Sequence, residues 1–271
     1  LQGINEQYAL TGQFLGTPKT FGEALRYDYG FVQPRNDGKI SGMIWRGSNR
    51  RTAHAYGYSY DRTGRLTKAL YQYRKAGATA WSNTEMDFTV SHLTYDLNGN
   101  ILTMRQRGQE ASNTAPYLID WLDYTYQPSS NKLQGVKDYN TIIPSMPVGD
   151  FRDGNGTDND YSYDAAGNLL HDENKDIEQI SYQPLVNKPE EIRYSNGAYF
   201  RYIYDAAGNK LHEYTGYFKE GDFAEKKRSY LSNAVYLDDG LAHLSHPAGR
   251  TVMKAKHNEY KEEFFVKDHL G

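Results

Sequence analysis

The chain has 271 residues, no cysteine, and a formal net charge of −3 from 31 Lys and Arg against 34 Asp and Glu. That balance gives no clustered basic field for a nucleic-acid backbone. The lack of cysteine removes disulfides, thiolate catalysis and Cys-based zinc sites, and no apolar run approaches the roughly 20 residues that span a bilayer. Tyr outnumbers Phe 25 to 10 while Leu, Ile and Val are scarce, so the interior is expected to be thin and tyrosine-rich.

The chain opens at Leu1 without a charged and apolar leader, as expected of a processed product or a piece of a longer protein. From there a short phrase recurs. A weak copy at Arg26, Tyr27 and Asp28 is followed by a clear one at Tyr58, Tyr60, Asp61 and Gly64, and another at Tyr95, Asp96 and Gly99. Two more clear copies are Tyr161, Tyr163, Asp164 and Gly167, then Tyr202, Tyr204, Asp205 and Gly208. Weaker copies with Gln in place of Asp stand at Tyr126–Gln127 and Tyr182–Gln183. Such self-similarity is the mark of a repeat architecture.

The phrase has a direct physical reading. Tyrosines two apart share one face of an extended strand. The Asp opens a type I turn, where its carboxylate can accept backbone N–H groups two residues on, and the Gly three residues later supplies a positive φ. A residue that is Asn in three of four copies then leads into Leu or Ile and a return strand. Each phrase thus encodes a β-hairpin.

A lone hairpin is marginal in water, so the units are expected to pair edge to edge. The fold predicted is all-β: an elongated, curved antiparallel β-sheet ribbon of hairpins, one continuous ladder over residues 1–271. Further strands are expected in the aromatic or β-branched runs Ala198–Tyr204, Arg228–Leu231, Ala234–Leu237 and Glu263–Val266. Asp172–Gln179 and Lys219–Arg228 could each form a turn or two of helix, but loops are expected there, and irregular chain at Ala76–Thr84, Gln106–Pro116 and Thr141–Thr157.

Several residue groups could carry chemistry. The repeat aspartates could be ligands or acids, but their fixed offset to Gly makes turn capping sufficient. Asp153 to Asp160 offers alternate oxygens as calcium loops do, yet lacks the glycine and the bidentate Glu of an EF-hand, so an acidic surface loop is favoured. His243, His246, His257 and His269 match no zinc spacing, and no nucleophile or phosphate-binding motif occurs. No catalytic, metal or cofactor residue is therefore assigned. Trp45, Trp81 and Trp121 with neighbouring Tyr are the candidates for stacking on a sugar ring or another cell-surface ligand, although core packing is expected to claim most rings.

The tyrosine–aspartate phrases resemble the YD repeat. The last residues, Phe264 to Gly271 with Asp268, His269 and Gly271, resemble the core motif of the RHS (rearrangement hotspot) family. The segments Asp37–Trp45 and Phe151–Asp164 are similar to RHS proteins of Bacteroidetes-type bacteria, so the resemblance spans most of the chain. It implies a large secreted or cell-surface bacterial protein whose repeats wind a β-ribbon into a hollow shell around a variable C-terminal, often toxic, domain. The implied role is a non-catalytic wall or scaffold segment, with the downstream domain of the same protein as partner. The family's autoproteolytic aspartates lie past the motif reached here. Two further expectations are a glycan-binding alternative and, because a cut ribbon leaves strand edges, pairing of edges into a dimer or their capping by the termini. A hydrolase on a β scaffold is the third reading, to be revived by a pocket holding a carboxylate pair with shifted pKa values.

Overall fold

The computed structural model describes residues 21–28, 35–47, 52–110, 115–140, 149–154, 156–254 and 259–265. These residues form an all-β protein, as predicted, with a single turn of 3-10 helix at Glu173–Lys175. Two compact units part between Asp158 and Asn159. No helix among the described residues is long and apolar enough to cross a membrane.

The first unit is an eight-stranded antiparallel meander of β1 (Phe21–Arg26), β2 (Gly42–Gly47), β3 (Ala53–Tyr60), β4 (Leu66–Arg74), β5 (Val90–Tyr95), β6 (Ile101–Gly108), β7 (Tyr117–Tyr126) and β8 (Leu133–Asp138). The second is an eleven-stranded meander: β9 (Tyr161–Tyr163), β10 (Leu169–Asp172), β11 (Ile177–Gln183), β12 (Lys188–Tyr194), β13 (Tyr199–Tyr204), β14 (Lys210–Lys219), β15 (Asp222–Leu231), β16 (Ala234–Leu237), β17 (Gly240–His246), β18 (Gly249–Lys254) and β19 (Glu259–Phe264). In both, sequence neighbours are sheet neighbours, the order a chain of hairpins must give. The strands fall into these two ladders rather than the single continuous one expected.

Two segments read as loops are not loops. Lys219–Arg228 is the tip of the β14–β15 hairpin and most of β15, paired from His212↔Ser229 to Lys219↔Asp222. Asp172–Gln179 carries the end of β10, the 3-10 turn and the start of β11. The irregular stretch 76–84 stands, apart from a bridge between Tyr73 and Ser82, whereas Gln106–Gly108 belongs to β6. Residues 111–114 and 141–148 of the other two stretches lie outside the described residues.

The core is thin, and concentrated in the first unit. Ala24, Ala53, Ala55, Ala69, Leu93, Ile119, Leu122 and Val136 are buried there with Tyr71 and Tyr73, while the second unit buries Ile177, Ile180 and Ala234. Tyr71 is 2% exposed. Its ring lies 5.0 Å from Phe88 and 5.5 Å from Tyr56, and its hydroxyl is 2.6 Å from His54 Nδ1, which satisfies the polar tip that burial would otherwise penalise. Most other phrase tyrosines are half-buried on the sheet surface rather than sealed inside.

Candidate functional site

The repeat aspartates act as the phrase predicts. In each clear copy the chain closes a three-residue loop: the Asp N–H donates to the carbonyl four residues on at 2.9–3.0 Å, and the Gly N–H donates back to the Asp carbonyl. Gly64, Gly99, Gly167 and Gly208 sit at φ +85°, +91°, +93° and +81°, the left-handed region that glycine enters without a Cβ penalty. One carboxylate oxygen accepts the N–H two and four residues on: Thr63 and Arg65 at Asp61, Asn98 and Asn100 at Asp96, Ala207 and Asn209 at Asp205. Asn168 donates likewise to Asp164 at 2.8 Å.

The other oxygen shows what the sequence alone did not assign. It takes a side-chain donor from the residue after the Gly: Arg65 Nε at 2.7 Å, Asn100 Nδ2 at 2.7 Å, Asn168 Nδ2 and Asn209 Nδ2 at 2.8 Å. The Arg65 backbone N–H at Asp61, and the Asn168 and Asn209 amides at Asp164 and Asp205, hold those carboxyls below the usual range. At Asp96 partial desolvation opposes the bonds from Asn100, Asn98 and Gly99, and the bonds prevail. In one weak copy Gln takes over the capping, Gln183 Oε1 accepting Leu185 and Val186 N–H at 2.7 and 3.0 Å, while at Gln127 the loop closes on backbone bonds with Lys132 and Ser130.

Successive units are stitched by two further contacts. In five of the phrases the last tyrosine donates its hydroxyl to a backbone carbonyl just past the preceding turn. Tyr60 reaches Ile40, Tyr95 reaches Leu66, and Tyr126 reaches Ile101; in the second unit Tyr182 reaches Leu169 and Tyr204 reaches Pro189, all at 2.6–2.9 Å. A β-bulge falls at this tyrosine, between Ser59 and Tyr60, Thr94 and Tyr95, Thr125 and Tyr126, Ser181 and Tyr182, and Ile203 and Tyr204, which re-aims a side chain out of the regular pleat. The residue after each turn glycine, or its counterpart, reaches forward to the next turn: Arg65 to the Asp96 carbonyl at 2.8 Å, Asn100 to Asn131 at 2.9 Å, Asn168 to Asn187 at 2.8 Å, and Lys188 to the Gly208 carbonyl. Arg65 also lies 4.7 Å from the Tyr95 ring centroid, and Lys188 lies 5.6 Å from that of Tyr204. Turn carboxylates, tyrosine hydroxyls and forward-reaching side chains are thereby spent on the chain's own turns and strands.

A separate cluster was not legible from the phrase. Asp120 on β7, Asp138 on β8 and Asp150 bring carboxylate oxygens within 4.8 Å of one another, close enough to hold a metal ion, and oxygen donors of this kind suit calcium or magnesium. Asp120 is 2% exposed. It accepts the Phe151 N–H at 2.7 Å, and Asp138 accepts those of Trp121 and Asn140 at 3.0 and 2.8 Å. Burial pushes the Asp120 carboxyl up to about 6, with Asp138 and Asp150 adding repulsion against the Phe151 bond. Burial also raises Asp138 and Asp150. The signal was an Asp inside the apolar strand Tyr117–Leu122. None of the repeat aspartates joins this cluster.

The remaining candidates separate. Trp45 is stacked against His54 and Tyr56 at 5.5 Å, and Trp81 carries the Arg74 guanidinium at 4.8 Å. Trp121 is 41% exposed, beside Tyr139 at 48% with ring centroids 5.7 Å apart. Arg105 lies over Trp121 at 4.3 Å and Lys137 over Tyr139 at 5.4 Å. His246 pairs with Glu262 at 3.1 Å and His243 lies on β17. In the acidic segment Asp153 accepts the Gly156 N–H at 2.7 Å, and buried Asp160 accepts Asn174 Nδ2 at 2.8 Å. His257, Asp268, His269 and Gly271 lie outside the described residues.

No family model matches the chain, and no curated protein matches it. Among solved structures it is similar to the TcdB2-TccC3 crystal structure, at 14% identity and a TM-score of 0.41 over 89% of this chain and 15% of that one. It is also similar to the Photorhabdus luminescens Tc holotoxin pore, at 14% identity and a TM-score of 0.42 over 93% of this chain and 15% of that one. The chain thus spans about 15% of the length of each.

Proposed function

We propose that this chain is a non-catalytic wall segment of a large secreted or cell-surface RHS-type protein, whose work is to enclose or present a domain encoded downstream. One observation carries the reading: the carboxylates of the repeat phrase are consumed inside their own turns, and the hydroxyls of Tyr60, Tyr95, Tyr126, Tyr182 and Tyr204 on the hairpin before. A catalytic or ligand-binding repeat would leave some of those carboxylates free, whereas Asp61, Asp96, Asp164 and Asp205 each spend both oxygens inside their own turn. A ribbon fastened in this way resists local opening, which is what a wall requires.

The test is to express the whole reading frame that carries this chain, as wild type and with Tyr95 and Tyr204 changed to Phe. The region after Gly271 should resist added protease in the wild type and become cleavable in the variant. A stop codon directly after Gly271, or equal cleavage of both forms, would overturn the proposal. A second reading, recognition of a glycan or cell-surface ligand by exposed aromatics, is favoured at Trp121 and Tyr139, which stand exposed side by side. Loss of binding on a glycan array when Trp121 is changed to Ala would support it, and an array silent for the wild type would remove it.

A further inference from the structure

We infer that one face of β14, β15 and β16 is a binding groove for a carboxylated sugar ring, such as a uronic acid. The inference rests neither on the wall reading nor on Trp121, and uses side chains that the stitching leaves alone.

The groove follows from register. On β14, Glu213, Thr215 and Tyr217 alternate onto one face. Their cross-strand partners on β15 are Arg228, Lys226 and Ala224, and Arg228 pairs onward with Leu237 of β16. Glu213, Thr215, Tyr217, Lys226, Arg228 and Leu237 together line an open groove of about 330 Å³, at the small end of the range that ligand sites occupy.

Charge then narrows the occupant. Glu213 is already neutralised: Arg228 Nη1 donates to one oxygen at 2.9 Å, and Lys210 Nζ and the Tyr230 hydroxyl donate to the other at 3.1 Å. Lys226 sits 5.3 Å from the centroid of the Tyr217 ring and forms no ion pair among the described residues. Lys226 is therefore the cation that faces the groove outside this ion-pair network, and Arg228, although paired with Glu213, keeps guanidinium donors beyond the one that Glu213 takes.

The lining also asks for more than a bare anion. Tyr217 and Leu237 offer a ring face and an apolar wall, and Thr215 offers a hydroxyl that can donate or accept. A pyranose with a carboxylate matches this set: its apolar face against Tyr217, its carboxylate at Lys226 and Arg228, its hydroxyls at Thr215. Free uronate and the ends of an acidic polysaccharide share that chemistry.

The test is a titration of the whole chain, followed by NMR amide shifts, with glucuronate, a hyaluronate oligosaccharide and, as the neutral control, glucose. Glucuronate should give saturable shifts centred on Thr215, Lys226 and Arg228, and glucose should bind at least about fivefold more weakly, the factor that one exposed ion pair near 1 kcal/mol supplies. Lys226→Gln removes an exposed side chain and should weaken glucuronate by a similar factor while leaving the remaining spectrum in place. Tyr217→Leu, which keeps apolar area but loses the ring, should weaken glucuronate and glucose alike. Tighter binding of the oligosaccharide than of the monomer would identify a polysaccharide as the source, and equal binding would identify the free acid. Equal binding of glucose and glucuronate, shifts centred on Trp121 instead, or an unaffected Lys226→Gln variant would overturn the inference.

Discussion

The hairpins from β3 to β13 and those from β14 to β19 reach the same antiparallel meander by different means. Where it carries the phrase, the first group turns through tight loops clamped by a side chain, and Tyr60, Tyr95, Tyr126, Tyr182 and Tyr204 stitch a unit to the one before through the hydroxyl. The second group turns tightly on left-handed residues, Glu220 and Gly221 at φ +54° and +92°, then Asp238 and Asp239 at +46° and +67°. It carries no phrase. Its large apolar side chains also stand in the open, with Phe218, Phe223, Leu231 and Phe264 all exposed. A β-ribbon can thus be held by repeated side-chain clamps along one stretch, and mainly by ladder hydrogen bonds and turn geometry along another, where the Asp238 carboxylate still accepts the Lys227 N–H at 2.8 Å.

The sharpest way to break this comparison is to remove one ring from each region. Tyr71→Ala deletes a sealed aromatic from the first unit and should cost about 3–5 kcal/mol. Phe223→Ala removes a ring that is 51% exposed and should cost less than about 1 kcal/mol, since little of its area leaves water on folding. Urea unfolding followed by fluorescence and by amide signals from each unit would measure both. Equal losses would show that the β14–β19 region is covered by something in solution.

The second largest effect is electrostatic and distinguishes the clustered aspartates from the turn aspartates. Asp120 has its folded pKa raised from 3.8 to about 6. The folded state therefore holds a proton that the unfolded state releases between those values, and stability rises as pH falls from about 6 to about 4, by roughly 3 kcal/mol at 1.36 kcal/mol per unit. The turn aspartates have the opposite sign: their folded pKa values are lowered, so their contribution is present above about 4 and fades only in stronger acid. Thermal melts across pH should show stability climbing from pH 7 to about 4 and then falling. In Asp120→Asn the climb should flatten, and the variant should be more stable than wild type at pH 8. An unchanged climb would remove Asp120 as its source.

How far the sequence spoke for itself follows the same division. The Asp and Gly of each phrase were legible because the turn is local: a carboxylate two to four residues from its donors needs no knowledge of the sheet. The bond from Tyr95 to Leu66, by contrast, depends on a register between strands 29 positions apart in the chain, and the forward reach of Arg65 to Asp96 depends on how successive turns stack. Lys219–Arg228 reads as a loop because Glu225, Lys226, Lys227 and Arg228 are all charged. With both faces of β15 open to solvent, the period-two alternation that reveals a half-buried strand vanishes. The Asp238–Gly240 cluster marks the end of the strand Ala234–Leu237 in the sequence, but not that the two aspartates rather than the glycine take the left-handed positions. Asp120 hid for the converse reason: one polar residue beside Ile119 and Leu122 does not disturb an otherwise apolar strand.

The smallest expected effects separate the two kinds of turn. Asp205→Ala leaves the amides of Ala207 and Asn209 without their acceptor and frees the Asn209 side chain. The melting midpoint of the second unit should drop by about 2–4 °C, with faster hydrogen exchange at those two amides. Asp239→Gly acts the other way. Asp239 is held at φ +67°, a conformation that glycine adopts without strain, and its only ion pair is with Lys227 Nζ at 3.4 Å among the described residues, so the substitution should stabilise the same unit by about 0.5 kcal/mol. Opposite signs in one sheet would show that the clamped turn at Asp205 depends on its side chain and position 239 on backbone conformation. If Asp239→Gly instead lowers the midpoint as much as Asp205→Ala, the exposed ion pair outweighs the relief of backbone strain, and both kinds of turn are governed by side-chain contacts.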